Sequence, residues 1–268
     1  MAAQDIIAPA NPAQLHSLDE SLYSIDSDGE AFEFMKAQTG IQDPDELRKY
    51  ILAVQAEAYS IHPYPCIRRF AFLTLKLGRL PAYQQLIELG QQRKDAVLMD
   101  IGCCLPFVAG DAFDSNHLEP VSPFYSPPET PTPQLQTLTS LNPLRGHVSA
   151  IHASAFFHLF GEAEQFHLAK AIAGLLSPKP GSMILGAHGG LPVKGIRNEN
   201  GVYQNPARTR PMFCHSPDSW KELWDGQIFE KGTIKVEAIL HEHKRRDLGT
   251  TIPEGTKLYL LVWSVTRL

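Results

Sequence analysis

Ala96-Val97-Leu98-Met99-Asp100-Ile101-Gly102 is the stretch whose reading decides the fold. It is a short apolar run, entered from the polar turn Gln91-Gln92-Arg93-Lys94 and closed by Asp-x-Gly. Such a run reads as a buried parallel strand with its functional end at the glycine. Working back toward the N-terminus, Pro81 to Gly90 reads as a helix closed by glycine, and Ile61 to Arg68 as a stiff loop. Asp43-Pro44-Asp45-Glu46-Leu47 starts a further helix, with acidic groups and proline in its first turn. That helix carries Tyr50, Ile51, Val54 and Ala58 on one face. Ala31 to Met35 opens a short helix, within a first stretch of forty residues that is otherwise mixed and polar.

Working forward, residues 119–146 hold seven prolines, at 120, 123, 127, 128, 131, 133 and 143. That density excludes helix and central strand, and a loop of this length is either functional or disordered. Val148 to Phe157 then reads as a strand leading into a helix that carries His158, Gln165, Leu168 and Ile172. Ser182 to Gly186 is the next strand, running into a glycine-rich loop, Ala187-His188-Gly189-Gly190. Ser216-Pro217 caps a helix through Trp220. Thr233 to Ala238 alternates like a half-exposed strand, and Lys257 to Val265 reads as a central closing strand. This order implies an α/β fold with a mostly parallel sheet and a terminal antiparallel strand. The expected division is an N-terminal helical extension at 1–60 and one α/β domain at 61–268.

Composition narrows the function classes. The chain of 268 residues is 43% hydrophobic and 20% charged, enough for a full core. Its net charge of -5 argues against nucleic acid, which needs a basic face. The densest basic run, Lys244-Arg245-Arg246, is flanked by Glu242 and Asp247 and reads as a solvated strand end. Among the four cysteines, adjacent Cys103 and Cys104 make a poor disulfide framework, and no C-x-x-C pair suggests zinc. No secretory leader and no apolar run of membrane-spanning length is visible, so a reducing cytoplasmic setting is expected. The expected partners are a small-molecule substrate and, as an option, a second copy of the chain.

Four segments, in order, resemble the class I S-adenosylmethionine (SAM) dependent methyltransferases. They are Asp100-Ile101-Gly102-Cys103-Cys104, Val108 to Asp114, His147 to Phe160, and Leu175 to Gly186. The runs Asp-Ile-Gly-Cys-Cys, Ile151-His152-Ala153-Ser154-Ala155-Phe156-Phe157-His158-Leu159-Phe160 and Leu-Leu-Ser-Pro-x-Pro-Gly-Ser are similar to a fungal branch that modifies terpenoids and meroterpenoids. The resemblance covers roughly residues 60–268. It implies a Rossmann-like sheet, SAM as cofactor, and an oxygen acceptor on a lipophilic terpenoid or meroterpenoid acid or alcohol. It further implies cofactor roles for Asp100 and for Gly102, whose backbone would approach the methionine part. Asp111 would accept from the adenine amino group, beside the amide of Ala112. Tyr64 and Arg68 fall where the family places its substrate lid, and Arg68 suits either a substrate carboxylate or a surface ion pair.

The chain departs from the family pattern at one place. In the family a glycine-rich turn, a helix and a second strand with a ribose-binding carboxylate follow Asp-x-Gly. Here Leu105-Pro106-Phe107-Val108 already reads as the third strand. A parallel crossover needs about a dozen residues or more, so the sheet is expected to lack one βα unit. A gene-model artefact, a natural loss of SAM binding and a replacement by the N-terminal region all fit this departure. The alternative functions are therefore a SAM-independent isomerase or cyclase, and an inactive partner of an intact homologue.

Among candidate chemical groups, His152 stands at a strand end and suits a general base. A hydrogen-bonded interior histidine is the competing reading. His188, in its glycine-rich loop, suits substrate contact or only a turn. Cys103, with no triad recognisable around it, is read as a small buried residue rather than a nucleophile, and Trp220 and Trp224 as core packing first and a substrate wall second.

Overall fold

The computed structural model describes residues 17–23, 25, 29–61, 63–102, 108–197, 212–242 and 257–268. The chain forms two compact units, Met1–Arg79 and Leu80–Leu268. That boundary falls later than the one read from sequence. The reason is that Phe70 and Leu73 share a buried cluster with Phe32, Leu47 and Ile51, so the segment around them packs with the first unit.

The N-terminal unit holds helices α1 (Glu30–Thr39), α2 (Pro44–Ile61) and α3 (Pro65–Arg68). Helix α2 starts where the sequence places it, with Asp43 Oδ1 accepting from the Glu46 amide at 2.9 Å. Buried Gln55 donates to the carbonyls of Ile67 and Arg68, tying the segment after α2 back onto that helix.

The C-terminal unit holds α4 (Tyr83–Gln92), β1 (Leu98–Asp100), β2 (Ala150–His152), α5 (Glu162–Leu175), β3 (Met183–Gly190), β4 (Gly195–Arg197), β5 (Met212–Cys214), α6 (Pro217–Trp224), β6 (Ile234–Glu242) and β7 (Tyr259–Arg267). Helix α4 runs past Gly90, so that glycine sits inside it rather than closing it. The main sheet has the order β1-β2-β3-β7-β6, and β4 pairs with β5 separately. Strands β1, β2 and β3 pair in parallel, whereas β7 is antiparallel to both β3 and β6. Four strands thus share one direction and the last strand in sequence opposes them, as expected. Within the sheet β7 is central, as its apolar sequence predicts.

Strand β1 differs from its reading. It is an edge strand among the described residues, and Leu98 is 52% exposed. In a doubly wound sheet of order 3-2-1-4-5-6 the first strand is internal. Here it pairs on one side only. Of the expected strand at Leu105 to Val108, residues 105–107 lie outside the described residues, and Val108 forms a bend.

The core lies around α5, whose Leu168, Ala169, Ile172 and Leu175 are fully buried, and around α6, which brings in Trp220 and Trp224. Ser216 caps α6 as its sequence indicates, accepting from the Ser219 amide. The proline-rich segment is packed rather than loose. Its Val121 lies against Gly174 of α5, where a Cβ would come within 2.6 Å of Val121 Cγ2. Asn142 Oδ1 accepts from the Glu119 amide, the Leu141 amide donates to the His117 carbonyl, and Arg267 donates to the Phe124 carbonyl. No helix among the described residues is long and apolar enough to cross a membrane.

Candidate functional site

The C-terminal ends of β1 and β2 bring three polar side chains into one line. Asp100 and His152 are register partners. Asp100 Oδ1 lies 2.8 Å from His152 Nδ1, and His152 Nε2 lies 2.8 Å from Ser154 Oγ. The Ala187 amide donates to that same hydroxyl at 3.1 Å. The proton directions follow from donor chemistry. A carboxylate only accepts, so the neutral ring carries its proton on Nδ1. Nε2 then accepts from the Ser154 hydroxyl, whose oxygen accepts from Ala187. The histidine side chain is 11% exposed and the aspartate 54%, so the line runs from solvent into the protein.

Backbone geometry explains the alignment. Beyond β2 the chain stays extended beside β3, with the amides of Ala153 and Ala155 donating to the carbonyls of Leu185 and Ala187. In extended backbone, residues two apart project from the same face, so His152 and Ser154 meet. Ala155 then takes a left-handed conformation, φ 53°, and turns the chain toward a 3-10 turn at Phe157–Leu159. A non-glycine residue held there is strained, and such strain concentrates at functional sites.

Gly102 also takes a left-handed conformation, φ 78°, and a Cβ there would stand 2.8 Å from the ring of Phe156. Both facts require glycine. Phe156, Phe160 and Phe113 form an aromatic wall beside this turn, with ring centroids 5.5 and 5.1 Å apart in succession. Asp111 does not stand at a strand end. Its Oδ1 accepts from the Phe113 amide at 2.9 Å, its carbonyl accepts from Asp114, and the residue is exposed. Ala112 packs against the core at the same turn.

His188 requires a correction. It is not in a loop. Strand β3 continues to Gly190, paired with β7 throughout, and His188 faces Leu261 in that register. The glycines allow close approach: a Cβ at Gly190 would lie 2.8 Å from both Leu240 Cδ1 and Leu261 Cβ. The ring is 2% exposed and packs 4.8 Å from Trp220. Nδ1 accepts from Trp263 Nε1 at 2.9 Å, so Nε2 carries the proton. Burial holds this histidine neutral, well below its ordinary range, with His158 and His215 adding repulsion. His215 is pushed down to about 4, again first by burial; Glu162 partly opposes this and Lys194 adds to it.

Tyr64 and Arg68 lie in the N-terminal unit. Arg68 Nε donates to the Ser17 carbonyl at 2.9 Å, and its guanidinium stands 4.0 Å from Asp19. Cys103 lies outside the described residues. A cavity of about 510 Å³, lined by Arg93, Pro128, Thr132, His147 and Lys179, sits at the opposite end of β2 from His152. It holds no aligned acid, base and nucleophile, so the strand ends are the better candidate. Sequence reasoning assigned Asp100 to cofactor only and missed Ser154. The signal was the i, i+2 spacing of His152 and Ser154 beyond a strand. Among the described residues no cluster of ligands suits a metal ion.

This sheet, with its acidic residue at the end of the first strand, fits a methyltransferase-like fold. Comparisons with known proteins carry the assignment further. Residues 21–73 match the family described as meroterpenoid methyltransferase N-terminal domain. The chain is similar to O-methyltransferase phiE of a fungal species (strain ATCC 74256), at 28% identity over 71% of this chain and 68% of that protein. It is similar to asnovolin E/chermesin D methyltransferase nvfJ of Aspergillus novofumigatus, at 25% over 83% of each. It is also similar to methyltransferase ausD of Aspergillus calidoustus, at 25% over 68% of this chain and 70% of that one. The resemblance read from the sequence to fungal meroterpenoid methyltransferases is therefore borne out.

Proposed function

We propose that this protein transfers a methyl group from SAM to an oxygen of a lipophilic, terpenoid- or meroterpenoid-like acid or alcohol. The observation that carries this is the similarity over 83% of the chain to a methyltransferase, seen together with the Asp100–His152 pair at the strand ends. When bound, SAM supplies a methyl group made electrophilic by a positively charged sulfur. The half-exposed carboxylate of Asp100 and the left-handed bend at Gly102 suit its charged amino-acid end. Asp111 and the Ala112 amide are the residues to receive adenine. They sit at an exposed turn, and Asp111 already caps that turn. Among the described residues no strand lies between β1 and β2 in sequence, and none of them there offers a strand-end carboxylate to the ribose. Absence of one βα unit belongs to the same proposal, and the edge position of β1 supports it.

His152 is the group that takes the acceptor proton, relayed through Ser154, when the acceptor is an alcohol. Asp100 keeps the proton of the ring on Nδ1 and leaves Nε2 free to accept. A carboxylate acceptor needs no base, and then alignment alone carries the step. The aromatic wall of Phe113, Phe156 and Phe160 suits an apolar acceptor. His188 lies in the core and has no part in this reading, whereas Tyr64 and Arg68 remain substrate contacts by resemblance. Isothermal titration with SAM and S-adenosylhomocysteine tests the reading. Saturable binding of both is expected, and folded protein that binds neither overturns it.

A further inference from the structure

The line Asp100–His152–Ser154 has the roles of a nucleophile with its base and its orienting group, and methyl transfer to a carboxylate uses neither the histidine nor the serine. We propose that Ser154 is an activated nucleophile and that this protein cleaves carboxylic esters of lipophilic alcohols or acids through an acyl-serine intermediate. Three observations meet here. The hydroxyl faces the histidine nitrogen at 2.8 Å, and the opposite ring nitrogen faces a carboxylate at 2.8 Å. Nucleophile, base and orienter within hydrogen-bond reach are recognised by geometry and role rather than by position in the chain. Ser154 is half-buried. It stands beyond the end of a parallel strand, immediately before the left-handed Ala155, on a sharp turn toward helix α5. Strained strand-to-helix turns present nucleophiles above a sheet in this way. Finally, the phenylalanine wall begins two residues further on, at Phe156, and suits an apolar acyl or alcohol group.

The chemistry balances without any further reagent than water. Ser154 Oγ attacks the ester carbonyl carbon as its proton passes to His152 Nε2. The carbon–oxygen bond to the alcohol breaks, and the alcohol leaves with that proton. Water, deprotonated by the same nitrogen, then attacks the acyl carbon, and Ser154 recovers a proton as the acid departs. Asp100 acts through the ring as a positioning residue and touches no substrate. This inference is independent of SAM and stands or falls separately from methyl transfer.

The test uses the whole chain without SAM. Wild-type protein is treated with p-nitrophenyl butyrate and, separately, with an alkyl fluorophosphonate, and the adduct is located by peptide mass. A p-nitrophenolate burst and a phosphonyl adduct on Ser154 are expected. Ser154→Ala should abolish both, and His152→Ala should slow acylation about 100-fold or more. Asp100→Asn should lower kcat with KM unchanged, because only the ring tautomer is lost. Ser126→Ala, in an exposed loop, should react like wild type. Folded wild-type protein that takes no adduct, or an adduct that maps elsewhere, overturns the proposal; neither result depends on any variant folding. SAM binding without acylation overturns this inference alone. Acylation without SAM binding overturns the methyl-transfer reading alone.

Discussion

His152 and His188 stand near the ends of neighbouring parallel strands, and the protein makes opposite use of them. Around His152 the sheet stops on one side, that of β1. Strand β2 ends at that residue, the partner strand β1 ends beside it, and Asp100 reaches solvent. Around His188 the sheet continues, because β7 pairs with all eight residues of β3. The first histidine gains a carboxylate and a hydroxyl. The second gains Trp220, Trp263 and Phe157, and burial holds it neutral. A histidine near a strand end meets polar partners where a neighbouring strand ends beside it, and aromatic packing where the pairing continues.

The sharpest way to break this comparison is in the dry region. Trp220 is fully buried and packs against Phe157, Trp224, Trp263 and His215. Trp220→Ala should lower stability by about 3–5 kcal/mol in urea titration. A change under about 1 kcal/mol would mean that the aromatic core is not built as described.

Acid provides the second test. His188 and His215 are held neutral in the fold, below an ordinary value of 6.5. Below that pH the unfolded chain takes up protons that the native state refuses. Stability should therefore be whole above about pH 6.5 and fall as pH drops toward about 4, where His215 itself protonates. Each histidine contributes a slope approaching 1.4 kcal/mol per pH unit within its window. Replacing His215 with Gln should flatten part of that slope in melts run between pH 4 and 7.

At the wet end, Gly102→Ala meets both a left-handed backbone and the Phe156 ring. It should destabilise by about 1–3 kcal/mol and reduce any SAM binding measured by titration. Arg68→Ala marks the small end of the scale. Its carboxylate partner Asp19 is 4.0 Å away and 43% exposed, and the Arg68 Nε donates to the carbonyl of exposed Ser17, so the melt should move by no more than about 1 kcal/mol. An effect on acceptor KM without one on stability would favour substrate contact.

Much of the fold was legible because local chemistry and tertiary packing agreed. Asp43-Pro44 and Ser216-Pro217 announced helices that form where expected, and the apolar run Lys257 to Val265 announced a central strand, which forms at Tyr259–Arg267. Gly189-Gly190 misled because glycine reads as a breaker, whereas here Gly190 makes room for Leu240 and Leu261, and Gly189 for Met212 and Arg197. The packed state of the proline-rich segment was equally hidden, since Val121 against Gly174 and Arg267 over Tyr125 are contacts distant in sequence. Of the site, His152 was found by its place at a strand end. Its partners needed register: Asp100 meets it across a parallel pair fifty-two residues apart, a distance that periodicity alone does not bridge.

The most direct test of the comparison is long-range ¹H–¹⁵N NMR of the histidine rings in the intact protein. His152 should appear with its proton on Nδ1, and His188 with its proton on Nε2 and still neutral at the ordinary histidine value of 6.5. Loss of the His152 signature in Asp100→Asn would complete the assignment. A His152 ring protonated on Nε2, or a His188 that titrates near pH 6.5, would contradict it.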